Sequence, residues 1–356
     1  MQKQFDSILN EIQPVDQNLA PKGQAHLDSL TKPLGSLGRL EELALKMFVA
    51  QGGNKPQLDP CRIYTVAGDH GVHEEGVSAY PQEVTRQMVL NFMNGGAGIN
   101  VLARTVGAEL FVVDAGSCDG DYPEHPNLIQ RKIAPGTANL AKGPAMTREQ
   151  CLKALLLGIE LADRAHAEGV RTLGTGEMGI ANTTPSTALF CAYLGLDPEP
   201  ITGPGGGLDR NRLPSKVQII RKGLAANAAA VESGDPVEIL AALGGFEIAT
   251  LAGLILGGAR NGQMICVDGF ISTAAYTAAA KICPAVAGYC VLSHASAEPG
   301  YTAVVEALGQ QPLLHLGLRL GEGTGAACAM FLLRSGAAIF NEMATFADAG
   351  VSEAAK

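Results

Sequence analysis

The sequence predicts a doubly wound α/β fold, and three observations carry that prediction. Short β-rich runs alternate with longer helical patterns along most of the chain, the rhythm of βαβ units. Most of those runs end in Gly, Asp or His within a residue or two of their last apolar position, as strands do when they feed a tight turn into a helix. The chain has 356 residues, 47% of them hydrophobic, with 44 glycines and no Trp. That is enough apolar material for a large core, and small residues suit helices packed closely on a parallel sheet.

Taken in order, the first 55 residues are helical in pattern only, with "LNEIQPVD", "AHLDSLTK" and "LGRLEELALKMFVAQ". Before the last of these, "KPLGSLGRLE" (32–41) reads as a loop with Ser36 near the helix start. β-branched and aromatic runs then mark strands at 62–68, 109–116, 170–176, 263–269 and 288–294, and a weaker one at 312–318. Helical runs such as "SKVQIIRKGLAANAAAVES" and "TAAYTAAAKI" separate them. After about residue 338 the pattern is again short and helical. The expected organisation is a mainly parallel sheet of about six strands spanning 56–338, inserted between helical segments 1–55 and 339–356 that pair as a small domain. In such a sheet the ligand crevice lies outside the carboxyl ends of the strands.

Composition excludes several function classes. Net charge is −9 with Lys and Arg scattered singly, which disfavours nucleic acid and anionic membranes as partners. The eight cysteines never form a C-x-x-C pair and mostly lie in apolar runs, so reduced thiols in a cytoplasmic protein are expected. The N-terminus lacks the apolar stretch of a signal peptide, and "EIATLAGLILGGA" is too short to span a bilayer.

"GTGEMG" (174–179) fits G-x-G-x-x-G, but a dinucleotide fingerprint needs a helix opening at its glycines. Here "IANTT" intervenes, with Thr183 or Thr184 as the expected N-cap and Pro185 as the first helical residue. "GEGTGAA" (321–327) lacks the downstream acid, and no P-loop motif exists. A dinucleotide oxidoreductase is therefore the weaker alternative; a nucleotide-binding relative without catalysis is another. Three glycine loops remain, "GEMGIANTT", "GPGGGLD" (203–209) and "GEGTG". Each is placed so that backbone N–H groups could meet an anion, with Lys216 to add a charge; each could equally serve close helix–sheet packing. "AGDHGVHEEGVSAYPQEV" (67–84) gathers Asp69, His70, His73, Glu74 and Glu75, yet without metal-ligand spacing, so hydrogen-bonded loop ordering is expected and no metal.

Together "TKPLGSLGRLEELA", "AGDHGVHEEGVSAYP", "GEMGIANTTPS", "VDGFISTAA", "LSHASAEPG" and "LRLGEGTGAACAM" closely resemble, in order from about residue 25 to 345, the nicotinate-nucleotide:dimethylbenzimidazole phosphoribosyltransferase family. The resemblance implies a Rossmann-like domain with a small helical domain from both chain ends, a homodimer, and no cofactor. It implies transfer of phosphoribose from nicotinate mononucleotide to 5,6-dimethylbenzimidazole, giving α-ribazole 5′-phosphate and nicotinate. By the same resemblance Glu322 is the general base and Glu177 a supporting acid. Tyr80, Met88, Met178 and Leu320 wall the acceptor pocket. Gly179, Gly203, Gly205, Lys216, Asp268, Ser293, Ser296 and Gly323 take phosphate, ribose or nicotinate.

That chemistry accounts for a lone carboxylate between glycines in "RLGEGTG". The leaving group departs as a neutral pyridine nitrogen and needs no acid, and a pre-activated donor with one phosphate needs no metal. Only the azole N–H of the acceptor must lose a proton, for which one base suffices. As an acid ahead of a helix, Glu322 is also expected to benefit from that helix's dipole.

Overall fold

The computed structural model describes residues 1–352. Its centre is a six-stranded, wholly parallel sheet of β1 (Cys61–Gly68), β2 (Glu109–Gly116), β3 (Leu128–Gln130), β4 (Thr172–Met178), β5 (Met264–Val267) and β6 (Cys290–Leu292). Their spatial order is β3-β2-β1-β4-β5-β6. The chain builds outward from β1 in one direction, then returns to build outward from β4 in the other. β1 and β4 are thus neighbours at the point where the winding reverses, with Tyr64 opposite Thr175 and Ala67 opposite Met178. Every residue of β1 is buried, as expected of a strand covered on both faces.

The two faces are covered by different helices, and side-chain alternation assigns them. Thr65 of β1 reaches the segment leading into helix Thr324–Glu342. Leu173 of β4 points the other way, beneath Gly258 of helix Phe246–Arg260. That second helix is buried along all but its last residue. It is sandwiched between the sheet and helix Arg148–Ala167. The two helices approach through Gly253 and Gly158, where a Cβ on either would collide with the other's backbone.

The sheet differs from the sequence expectation in two places. Residues 312–318 form no strand: Leu314 makes a single parallel bridge to His294, and Gly317 turns the chain into the left-handed region (φ 67°). Backbone bonds from Ala295 to Leu314 (2.7 Å) and from Ala297 to Leu318 (2.9 Å) nevertheless zip this loop to 294–298. Conversely, three-residue β3 is too short and too exposed to have announced itself.

Segments from both halves of the helical pattern, residues 26–49 and 340–345, meet. Leu27, Leu30, Ala44, Phe48 and Val49 form a separate apolar cluster with Phe340, and His26 Nε2 lies 2.7 Å from the Phe340 carbonyl. Helix Gln2–Glu11, however, places Phe5 and Ile8 in the main core. Residue 338 falls inside helix Thr324–Glu342, so one continuous element runs from beneath the sheet to the terminal cluster.

Candidate active site

A cavity of about 370 Å³ opens at the carboxyl ends of β1 and β4, where the winding rule puts a ligand. A larger open trough, about 790 Å³, lies along the β3 edge. Its cations are already paired, Arg131 with Glu160, Lys132 with Asp114 and Lys153 with Glu149, which leaves few groups for a ligand. The smaller cavity carries the convergent polar groups.

Glu322 lines it and is only 4% exposed. Its backbone is held by two hydrogen bonds in a left-handed conformation. The N–H donates to the Glu177 carbonyl (3.2 Å), the carbonyl accepts from Thr65 Oγ1 (2.6 Å), and φ is +64°. Gly176 of β4 allows that approach, since a Cβ there would strike the Glu322 carbonyl. The carboxylate does not cap its own helix. Oε2 accepts the Ile99 N–H (3.0 Å) at the start of helix Gly98–Val106, so the stabilising dipole comes from a different segment. Burial raises the carboxyl above its ordinary pKa, the Ile99 N–H opposes that, and the charge of Asp268 adds to the rise.

Asp268 supplies the cap instead. Its Oδ2 accepts Gly323 N–H (3.0 Å), and its Oδ1 accepts Gly325 (2.7 Å) and Ala326 (3.2 Å). His294 Nε2 lies 3.7 Å from Oδ1. Asp268 is 1% exposed and does not line the cavity. Ser293 also stands behind the wall, its hydroxyl donating to the Asp268 carbonyl (3.1 Å), and Gly323 is occupied by the cap. These three residues hold the floor on which Glu322 sits.

Glu177, near the end of β4, faces the cavity and accepts the Asn182 amide. Burial, reinforced by the charge of Asp268, pushes its carboxyl up to about 8. At neutral pH this group is protonated and can donate a hydrogen bond. Met88, Met178, Tyr80 and Leu320 all line the cavity. Tyr80 and Leu320 are more than half exposed.

Of the anion-side residues, Gly179, Gly205 and Ser296 line the cavity. Gly203 and Lys216 lie just behind, with Lys216 Nζ donating to the Thr183 hydroxyl (2.8 Å) and the Gly203 carbonyl (2.9 Å). Lys216 is 1% exposed, and burial pushes its ammonium down to about 8. The following helix begins at Thr183 with Asn182 as its N-cap, which makes Pro185 the third helical residue. A proline is tolerated anywhere in that first turn, whose N–H groups have no partner within the helix.

Sequence reasoning missed Glu298, Asn182, Thr183, His294 and Arg319, all of which line the cavity. Glu298 and His294 stood inside "SHASAE", where the serines drew the assignment. Asp69 and His70 are ordering groups: Asp69 Oδ2 accepts the Cys118 N–H (2.8 Å), and His70 Nε2 pairs with Glu247 Oε1 (2.7 Å). No cluster of three or more potential metal ligands occurs among the described residues.

Residues 12–351 match a family model, DBI_PRT, described as a phosphoribosyltransferase. The chain belongs to this phosphoribosyltransferase family. A protein of Nitratidesulfovibrio vulgaris (strain DP4) named nicotinate-nucleotide–dimethylbenzimidazole phosphoribosyltransferase is 67% identical over 355 residues, covering 99% of both chains. A protein of the same name from Chlorobaculum tepidum is 53% identical over 352 residues, again 99% of both. A crystal structure titled as the Thermus thermophilus nicotinate-nucleotide–dimethylbenzimidazole phosphoribosyltransferase superposes with a TM-score of 0.88 at 46% identity. It covers 95% of this chain and is itself covered completely. No helix among the described residues of the phosphoribosyltransferase is long and apolar enough to cross a membrane.

Proposed function

We propose that this phosphoribosyltransferase moves the phosphoribosyl group of nicotinate mononucleotide onto 5,6-dimethylbenzimidazole or a related flat azole. The products are α-ribazole 5′-phosphate and nicotinate, for the lower ligand of cobalamin-type cofactors. The observation that carries this reading is the Glu322 carboxylate, buried in a cavity that also presents an apolar wall, glycine loops and the polar groups of Glu177, Asn182 and His294.

In the transfer, the azole nitrogen lone pair attacks C1′ of the ribose from the face opposite nicotinate. The new N–C1′ bond forms as the bond from C1′ to the pyridinium nitrogen breaks, and that electron pair returns to the ring. Nicotinate leaves neutral at nitrogen, and the sugar inverts from β to α. Glu322 takes the azole proton, a contribution of about 10²–10⁴ in rate. Its negative charge also favours the positive charge developing at C1′. Glu177, protonated at neutral pH, adds no second negative charge and can donate to a substrate oxygen. Backbone N–H groups of the glycine loops, with Lys216 behind them, receive the phosphate.

By its family resemblance the enzyme works as a homodimer in the cytoplasm; sedimentation of the purified protein tests the assembly. Incubation with nicotinate mononucleotide and dimethylbenzimidazole tests the function, and nicotinate and α-ribazole phosphate should appear in equal amounts. Absence of nicotinate release from folded protein refutes it.

A further inference from the structure

Glu298 is a carboxylate in an unexpected place. It is 6% exposed and lines the cavity beside Pro204, Gly205 and Thr183. Its Oε2 accepts the Gly205 N–H at 3.3 Å. Gly203 lies so close to that same oxygen that any Cβ would collide with it. The Nζ of Lys216 is bonded to the Gly203 carbonyl and the Thr183 hydroxyl, and the charge of Glu298 favours its ammonium against burial. The carboxylate therefore already takes the backbone donor, and neighbours the cation, that suit a phosphate.

We propose that Glu298 tunes the donor's affinity by competing with its phosphate for the Gly205 N–H and for the field of Lys216. This rests on the proposed function. Binding exchanges one anion for another at the loop, which weakens the ground-state complex and speeds departure of the phosphorylated product. A long N–H to carboxylate distance of 3.3 Å is consistent with a bond that yields readily to a better acceptor.

The competition has a pH signature. Burial lowers Lys216 to about 8, and Glu298 opposes that lowering. Removing the Glu298 charge lets Lys216 fall further, so the free variant loses its ammonium at lower pH than the parent. Phosphate affinity in the variant is then lost sooner as pH rises.

The test is donor kinetics of Glu298→Gln and Glu298→Ala between pH 6.5 and 9, with inorganic phosphate as a competing probe. At pH 6.5 the KM for nicotinate mononucleotide and the inhibition constant of phosphate should both fall, by about tenfold. The gain should shrink above pH 8, kcat should drop through slower product release, and the acceptor KM should hold. A residue that merely braces the loop predicts the reverse, a raised donor KM at every pH, and that result, or no change, overturns the proposal. Should both variants fail to fold, phosphate inhibition of the parent decides. Competition requires weak inhibition, in the millimolar range, and tight inhibition refutes it. Failure of the parent to release nicotinate would refute the functional reading instead.

Discussion

The two sides of the cavity are built to different standards. On the floor, Glu322 is fixed by three hydrogen bonds from or to Thr65, Ile99 and Glu177, and the turn beneath it is clamped by three N–H bonds to Asp268. On the acceptor wall, Tyr80 and Leu320 stand more than half exposed, and the Met88 and Met178 side chains are only partly buried. The floor must hold one oxygen to within a fraction of an ångström of its place beside the azole N–H, whereas the wall has only to sandwich a flat ring. Precision is concentrated where the bond changes, and tolerance where the acceptor varies. Met suits that tolerance because it is flexible and polarisable.

Variants can break or sharpen this contrast. Glu322→Gln should have the largest effect, a fall of about 10²–10⁴ in kcat with donor binding intact. Near-normal turnover of the purified variant at neutral pH would remove the base from the floor.

Asp268→Asn comes next. It turns an acceptor of three N–H groups into one that presents an amide, so the Glu322 turn loosens and kcat should fall by up to about 10²-fold. Because the Asp268 charge helps to raise Glu322, the acid limb of kcat/KM should also move to lower pH. An unmoved limb would mean that Asp268 acts on the fold alone.

Glu177→Gln probes the cost of the floor. The Glu177 pKa is about 8 when folded, against 4.5 for the ordinary group. Below pH 4.5 both states are protonated and it contributes nothing. Between 4.5 and 8 the unfolded chain ionises while the folded one does not, so a destabilisation grows with pH and then levels off. The variant's Tm advantage over the parent should therefore widen from pH 5 to pH 8, by roughly a few degrees. A constant difference across that range would contradict the raised value.

Tyr80→Ser tests the wall and should act more weakly. Loss of ring contacts of about 0.5–1.5 kcal/mol predicts a several-fold change in acceptor KM that differs between substituted and plain benzimidazoles. The Tyr80 ring also lies against Gly206 of the glycine loop, so a smaller shift in donor KM should accompany it. Equal shifts for every acceptor would place Tyr80 outside the wall. Chelators should have the least effect, leaving turnover unchanged; a loss restored by a divalent ion would overturn the metal-free mechanism.

Much of this was legible in the sequence, for identifiable reasons. Strands β1 and β2 are long, apolar and β-branched, so periodicity found them within a residue. β3 is three residues long and partly exposed, and carries no such signal. Residues 312–318 carry a strand's composition but pair at one bridge only. In the site, the family resemblance pointed to Glu322 and Glu177, and both line the cavity. It could not separate cavity lining from support: Asp268 and Ser293 lie next to the site in sequence and motif, yet their polar atoms are spent on backbone groups. Nor could it reveal that Glu322 rests on a helix more than two hundred residues earlier in the chain, a contact only folding creates.

Among the described residues only two non-glycines have positive φ, Ala181 and Glu322, and both line the cavity. At position 322 a glycine would relieve a backbone strain of about 1–3 kcal/mol and remove a buried acid in one step, against the cost of taking the acceptor from the Ile99 N–H. Heat tolerance and turnover therefore pull in opposite directions at this codon. A laboratory screen for thermal survival alone would drift toward a sturdier, inactive protein, and retaining the glutamate requires that each round also be scored for product.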